Sequence, residues 1–255
     1  MNVATIDFSI LWPAFAAGLL VTATHVPLGI QVLNRGIVFI DLAIAQIAGL
    51  GVILADWLGF EPYGWAVQVA ALAAAHAGAL LLTWTEKRWP EVQEAVIGTT
   101  FILGASGAVL LLAANPRGAE HLKDLLVGQI LWVNWSRLLL VALVYAVILA
   151  LWFGWRERIG RTGFYLLFAV AVTVSVQLVG LYLVFTTLIV PALATHHTSR
   201  ARLAVCYALG AGGYALGLWA SAVFDLPSGA VIVWAMAALA IVVFALGSRG
   251  GQPAR

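Results

Sequence analysis

Asp41 and Gln46 stand five residues apart in the uncharged stretch IDLAIAQIAGLGV. Between them they offer a hard carboxylate oxygen and a neutral amide carbonyl oxygen, the donors that suit a divalent cation. His25, near the end of one apolar run, and His76, well inside another, add imidazoles of the kind that ligate transition metals. Each has a structural alternative: Asp41 as a helix cap or as the partner of Arg35, the histidines as hydrogen-bonded packing residues. His121 lies in the charged segment Arg117 to Asp124 and reads as solvated, while His196 and His197 adjoin Arg200 and Arg202 and read either as a metal pair or as a polar contact surface. No GxxxxGK[ST], HExxH, GxSxG or CxxC pattern occurs, so no catalytic residue is assigned, and any chemistry that consumes ATP belongs to another chain. The one cysteine, Cys206, sits in an apolar run and reads as a small core residue.

The elements that position these side chains follow from composition. Of 255 residues, 63% are hydrophobic and 9% charged, against about 25% charged in a soluble domain. Too few charges exist to clothe a water-soluble body, so most of the surface faces lipid. A soluble fold, a disordered chain, a disulfide scaffold and a nucleic-acid binder are excluded together. The formal net charge of +2 says less than where the charges fall.

A crossing helix needs about 20 apolar residues. Such runs occur at 10–33, 37–57, 63–85, 95–114, 137–154, 162–176, 178–195, 203–224 and 229–247, which makes an all-α polytopic membrane protein with nine spans, or eight if two merge. Thr162 to Thr195 carries no charge and would measure about 51 Å as one helix, too long for a single crossing, so a turn at Ser175 and Gln177 is expected, with a short first member. Nine spans place Arg35, Lys87, Arg88, Arg156, Arg158, Arg161, Arg200, Arg202, Arg249 and Arg255 on one side, the cytoplasmic one, and only Arg117, Lys123 and Arg137 on the other. The first run has no basic flank of a cleaved signal and reads as a retained span. The whole chain, 1–255, reads as a single transmembrane domain.

Several segments resemble, in order, the permease subunits of the ABC-type zinc, manganese and iron importers, the ABC-3 family. HVPLGIQVLNRGIVFIDLAIAQIAGLGV (His25 to Val52), EAVIGTTFILGASGAVLLL (Glu94 to Leu112), DLLVGQILWVNWSRL (Asp124 to Leu138), VSVQLVGLYLVFTTLIVPALAT (Val174 to Thr195) and FDLPSGAVIV (Phe224 to Val233) carry the likeness over about 200 residues. The resemblance implies an ABC-3 type permease fold in the bacterial inner membrane. Its expected partners are a second permease copy forming a homodimer, cytoplasmic ATPase subunits and an extracytoplasmic metal-binding protein. It also implies no cofactor bound by this chain, ATP on the partner, and a divalent metal ion, zinc or manganese, as cargo. The segment Ala192 to Arg202 resembles the family's coupling segment to the ATPase, with Ala192, Thr195, His196, His197 and Arg200 as the expected contact residues; Asp41, Gln46, His25 and His76 are the expected metal path.

One departure bears on cargo. The family's second span often carries an Asp and a His four residues apart, on one helical face. Here Ala45 follows Asp41 at that spacing, and Gln46 stands where the other alignment would place the His. Loss of the imidazole weakens the case for zinc, which favours nitrogen and sulfur, relative to harder cations. A permease for a metal chelate on the same architecture, or a carrier working without ATP, are the competing readings.

Overall fold

A computed structural model describes residues 8–61, 64–112, 130–196 and 201–249. Among them the chain forms helices α1 (Phe8–Arg35), α2 (Ile40–Trp57), α3 (Trp65–Arg88) and α4 (Gln93–Leu112, entered through a 3-10 turn at Pro90–Val92). A 45-residue helical stretch, Trp135–Val179, follows and breaks at Trp155 (φ −128°, ψ 20°) and Gly160 (φ 62°, ψ −165°). It supplies two crossings, α5 (Trp135–Trp155) and α6 (Arg158–Val179). Then come α7 (Leu181–Ala194), α8 (Arg202–Phe224) and α9 (Ser228–Arg249). Eight of these helices are long and apolar enough to cross a membrane, and α7 is a shorter apolar helix.

Between α6 and α7 the structure corrects the expected turn. Ser175 does not end a helix: its hydroxyl donates 2.6 Å to the Ala171 carbonyl of its own helix, which satisfies it without a turn. The chain turns instead at Gly180, whose φ of 85° is open to glycine and strained for other residues. The short member of the pair is therefore the second. At 14 residues α7 spans about 21 Å, less than the hydrocarbon layer, and most of it is buried in protein.

Two compact units emerge. One gathers α1 as far as Asn34, the first part of α5 as far as Tyr145, and α7, α8 and α9; the other gathers α2, α3, α4, the rest of α5 and α6 as far as Gln177. Helices meet in a bilayer without much hydrophobic gain between them, so small residues at crossings decide how closely they pack. In the first unit a Cβ at Gly29 of α1 would land on the Leu188 carbonyl of α7, and one at Gly217 of α8 on the Ile232 backbone of α9. In the second, α2 packs against α3 and α4; a Cβ at Gly51 would meet the Ala70 carbonyl at 2.7 Å, and one at Gly104 the Cβ of Gln46 at 3.0 Å. The join of α3 to α4 is polar: Gln93 donates to the Leu82 carbonyl at 3.0 Å and accepts from the Thr85 hydroxyl at 3.0 Å.

Tryptophans mark the helix ends. Trp57, Trp65, Trp84, Trp89, Trp132, Trp135 and Trp155 are all exposed and fall within a few residues of a terminus, where amphipathic rings settle at the headgroup level.

Gly29→Ala tests the packing of α1 on α7. The added methyl costs about 1–3 kcal/mol of overpacking, and the thermal midpoint of detergent-solubilised protein falls by several degrees. Gly98→Ala, where a Cβ meets nothing within 4 Å, leaves the midpoint unchanged or raises it. Equal midpoints for the two variants would contradict this crossing.

Candidate functional site

Asp41 occupies the first turn of α2 and is fully buried. Neither structural alternative for it is realised. The residue at the N-cap position is Phe39, with no side-chain cap, and Arg35 is engaged elsewhere. The Arg35 guanidinium lies 4.4 Å over the Phe164 ring and is drawn to Glu86, which also takes Arg161 at 3.6 Å. Both Asp41 oxygens are left without a hydrogen-bond partner, an expensive arrangement for a carboxylate at membrane depth. A second acid comes to the same helix start. Glu94, from the first turn of α4, accepts from the Phe39 backbone N–H, where the positive end of the α2 dipole favours negative charge; its Oε2 also lacks a partner.

Gln46 is half-buried and sits at the crossing of α2 with α4, opposite Gly104. Five residues at about 100° each turn it roughly 140° from Asp41, so the two do not share a helical face. The position on Asp41's own face, one turn on, is filled by the buried Ala45.

His76 belongs to the same unit as Asp41 and Gln46, on α3, and is half-buried. Its Nδ1 lies 2.7 Å from the Leu72 carbonyl. His25, on α1 in the other unit, is fully buried, with Nδ1 3.1 Å from the Val21 carbonyl and 3.0 Å from the Thr24 hydroxyl. A carbonyl only accepts, so Nδ1 carries a proton on both rings, which leaves Nε2 as the ring atom that would turn to a metal. In His25 that Nε2 is buried without a partner. Among the described residues no three His, Cys, Asp or Glu side chains come together as a metal-holding group.

Tertiary bonding around His25 follows from Pro27. A proline removes the amide that would bond the carbonyl four residues back, here that of Ala23, and the Tyr207 hydroxyl of α8 donates to that carbonyl at 3.1 Å. Nearby on α1 and α8, Gly18 leaves room for the buried Tyr214 ring, whose hydroxyl pairs with Thr187 of α7 at 2.9 Å.

Of the expected ATPase contacts, Ala192 and Thr195 are buried and His196 is exposed; His197 and Arg200 lie outside the described residues, as do Arg117, His121 and Lys123. The sequence reading missed the cluster of Glu86, Arg35, Arg161 and Tyr165, because Glu86 adjoins Lys87 and Arg88 and reads locally as a solvated helix end. It missed Glu94 as well, although the resemblance ran through it.

A bundle of apolar helices with aromatic ends and a few buried polar side chains defines a multi-pass membrane protein. The family model of the ABC 3 transport family matches residues 7–162 and 154–247, and the chain belongs to that family. It is 23% identical over 212 residues to the high-affinity zinc uptake system membrane protein ZnuB of Haemophilus influenzae, covering 76% of this chain and 79% of that one. PsaBC from Streptococcus pneumoniae, solved in complex with Fab, superposes with a TM-score of 0.75 at 20% identity over 93% of this chain and 92% of that one. A metal-chelate type ABC transporter in an inward-facing conformation gives a TM-score of 0.67 at 17% identity, over 96% and 91%. The fold is that of ABC-3 permeases.

The Tyr207 bond is open to a double-mutant cycle. Tyr207→Phe alone strands the Ala23 carbonyl and costs about 0.6–2 kcal/mol, read as a lower thermal midpoint. In a Pro27→Ala background the restored amide takes that carbonyl, and the same change costs nothing measurable. Equal losses in the two backgrounds would contradict the assignment.

Proposed function

We propose that this chain is the membrane-spanning permease subunit of an ATP-driven importer for a divalent transition-metal ion in a bacterial inner membrane. A second copy completes the path, cytoplasmic ATPase subunits drive it, and an extracytoplasmic binding protein delivers the ion. The observation that carries the reading is a family match running almost from end to end of the chain, joined to a fully buried carboxylate with no internal partner at the start of α2. A relative named for zinc uptake supports a metal as cargo.

Asp41 is the first ligand on the path, with Glu94 beside the same helix end and His76 of the same unit as a nitrogen donor; His25, in the other unit, is a separate candidate donor. ATP binding closes the ATPases, the segment from Ala192 to Arg202 takes the thrust, and the helices exchange outward-open and inward-open arrangements. Oxygen donors outnumber nitrogen on α2, which favours manganese or another hard cation over zinc.

Uptake of radioactive zinc, manganese and iron into proteoliposomes holding this chain, its ATPase and its binding protein tests the proposal. ATP-dependent accumulation of one ion is expected. Asp41→Ala and Asp41→Asn each lower it by about tenfold or more, as expected for loss of a charged ligand, while the complex still assembles. Unchanged uptake in both variants would remove Asp41 from the path. Accumulation of a metal chelate, with none of the free ions transported, would favour the second reading, to which the likeness with a metal-chelate type transporter lends support.

A further inference from the structure

The ends of α7 and α8 are joined by more polar bonds than a chain reversal requires. The last turn of a helix leaves carbonyls without amide partners. Here the Pro191 carbonyl accepts from the Thr195 backbone N–H at 3.2 Å, from the Thr195 hydroxyl at 2.9 Å and from the Cys206 thiol at 3.3 Å. The Ala192 carbonyl accepts from an Arg202 terminal nitrogen at 3.1 Å, and Arg202 Nε reaches the Thr195 hydroxyl at 3.4 Å. Thr195 Oγ1 and Cys206 Sγ lie 3.0 Å apart, and both residues are fully buried. Two residues of the first turns of α8 thus grip the last turn of α7.

Two features mark this grip as more than incidental capping. A cation at the start of a helix opposes that helix's dipole, yet at the C-terminal end of another helix it is favourable; Arg202 is the first residue of α8 and serves α7. The residue before it, Ala201, has φ 55° and ψ 24°, a left-handed conformation that costs a non-glycine residue energy and persists where its surroundings over-determine it.

We propose that Arg202 is a positioning residue that locks α7 and α8 into one lever, so that thrust on the segment between them moves both helices together. The proposal rests on the permease reading, in which an ATPase pushes that segment. Its work is mechanical: with the guanidinium bridging the Ala192 carbonyl and the Thr195 hydroxyl, the last turn of α7 and the first turn of α8 move as one. Without that bridge the two helix ends part and ATP is hydrolysed without a matching movement of the helices. Lysine cannot replace it fully, because one ammonium lacks the fork that spans two acceptors.

The test measures ATP hydrolysis and metal uptake in the same proteoliposomes of the complete transporter. For Arg202→Gln we expect hydrolysis within about twofold of wild type and uptake lower by about tenfold or more, so that ATP consumed per ion rises by a similar factor. Arg202→Lys falls between. A purely structural role would lower both activities in proportion, and an unchanged ratio of ATP to ion overturns the proposal. If Arg202→Gln fails to assemble, Thr195→Val, which removes the shared hydroxyl and keeps the side-chain shape, decides: a raised ratio supports the lever, and a wild-type ratio sinks it. Wild-type vesicles without ATP-dependent uptake would overturn the permease reading and the lever with it, whereas a coupled wild type beside a coupled Arg202→Gln overturns the lever alone.

Discussion

Inside a bilayer no water is available to a stranded peptide group, so every break in a helix must be answered by another part of the protein. That constraint organises the unit around α7. A helix of 14 residues that follows a left-handed glycine and contains Pro191 is shorter than the hydrocarbon layer, and most of its residues are buried in protein. The protein encloses it. Gly29 admits the backbone of α1 against Leu188, Tyr214 brings a hydroxyl to Thr187, and Cys206 and Arg202 take the last carbonyls. The same rule explains Tyr207, placed where Pro27 has released a carbonyl on α1.

The other unit obeys the complementary rule, that buried charge must be paired or used. Glu86 pairs with Arg161, and the Phe164 ring lies beneath the Arg35 guanidinium, whose charge Glu86 also favours. Asp41 is passed over, though Arg35 stands only six residues before it. Arg35 instead lies over the Phe164 ring, and Asp41 keeps no bonded cation beside it.

Much of the fold was legible from hydropathy alone, since an unbroken apolar run of about 20 residues has few structural alternatives. The turn inside Thr162 to Thr195 was not. Ser175 and Gln177 drew attention as polar residues, but a hydroxyl that bonds to its own helix leaves no mark on the helix, whereas Gly180 is decisive only through its φ, and glycine is too frequent in this chain for one to stand out. Asp41 was legible because a lone acid in an apolar run is conspicuous. The Glu86 cluster was not, because its members come from three helices, α1, α3 and α6, and its charged members read locally as ordinary terminal charges. Burial of Ala192 and Thr195, in a segment whose basic residues suggested an exposed loop, follows from the reach of Arg202 and Cys206 across the corner, a tertiary fact that no local pattern carries.

Donor geometry on α2 differs from what the spacing of Asp41 and Gln46 suggested. Asp41 and Gln46 diverge around α2, and Ala45 fills the position one turn on from Asp41, so the face of α2 that carries Asp41 offers one oxygen donor there. Glu94 extends the oxygen set. The His25 and His76 rings, one in each unit, are both held through Nδ1 by carbonyls of their own helices. Oxygen donors alone suit a hard cation such as manganese, and an added imidazole makes a borderline set that admits zinc. On the proposed reading, the absence of a ligand four residues after Asp41 leaves any further donor to be supplied by helices other than α2.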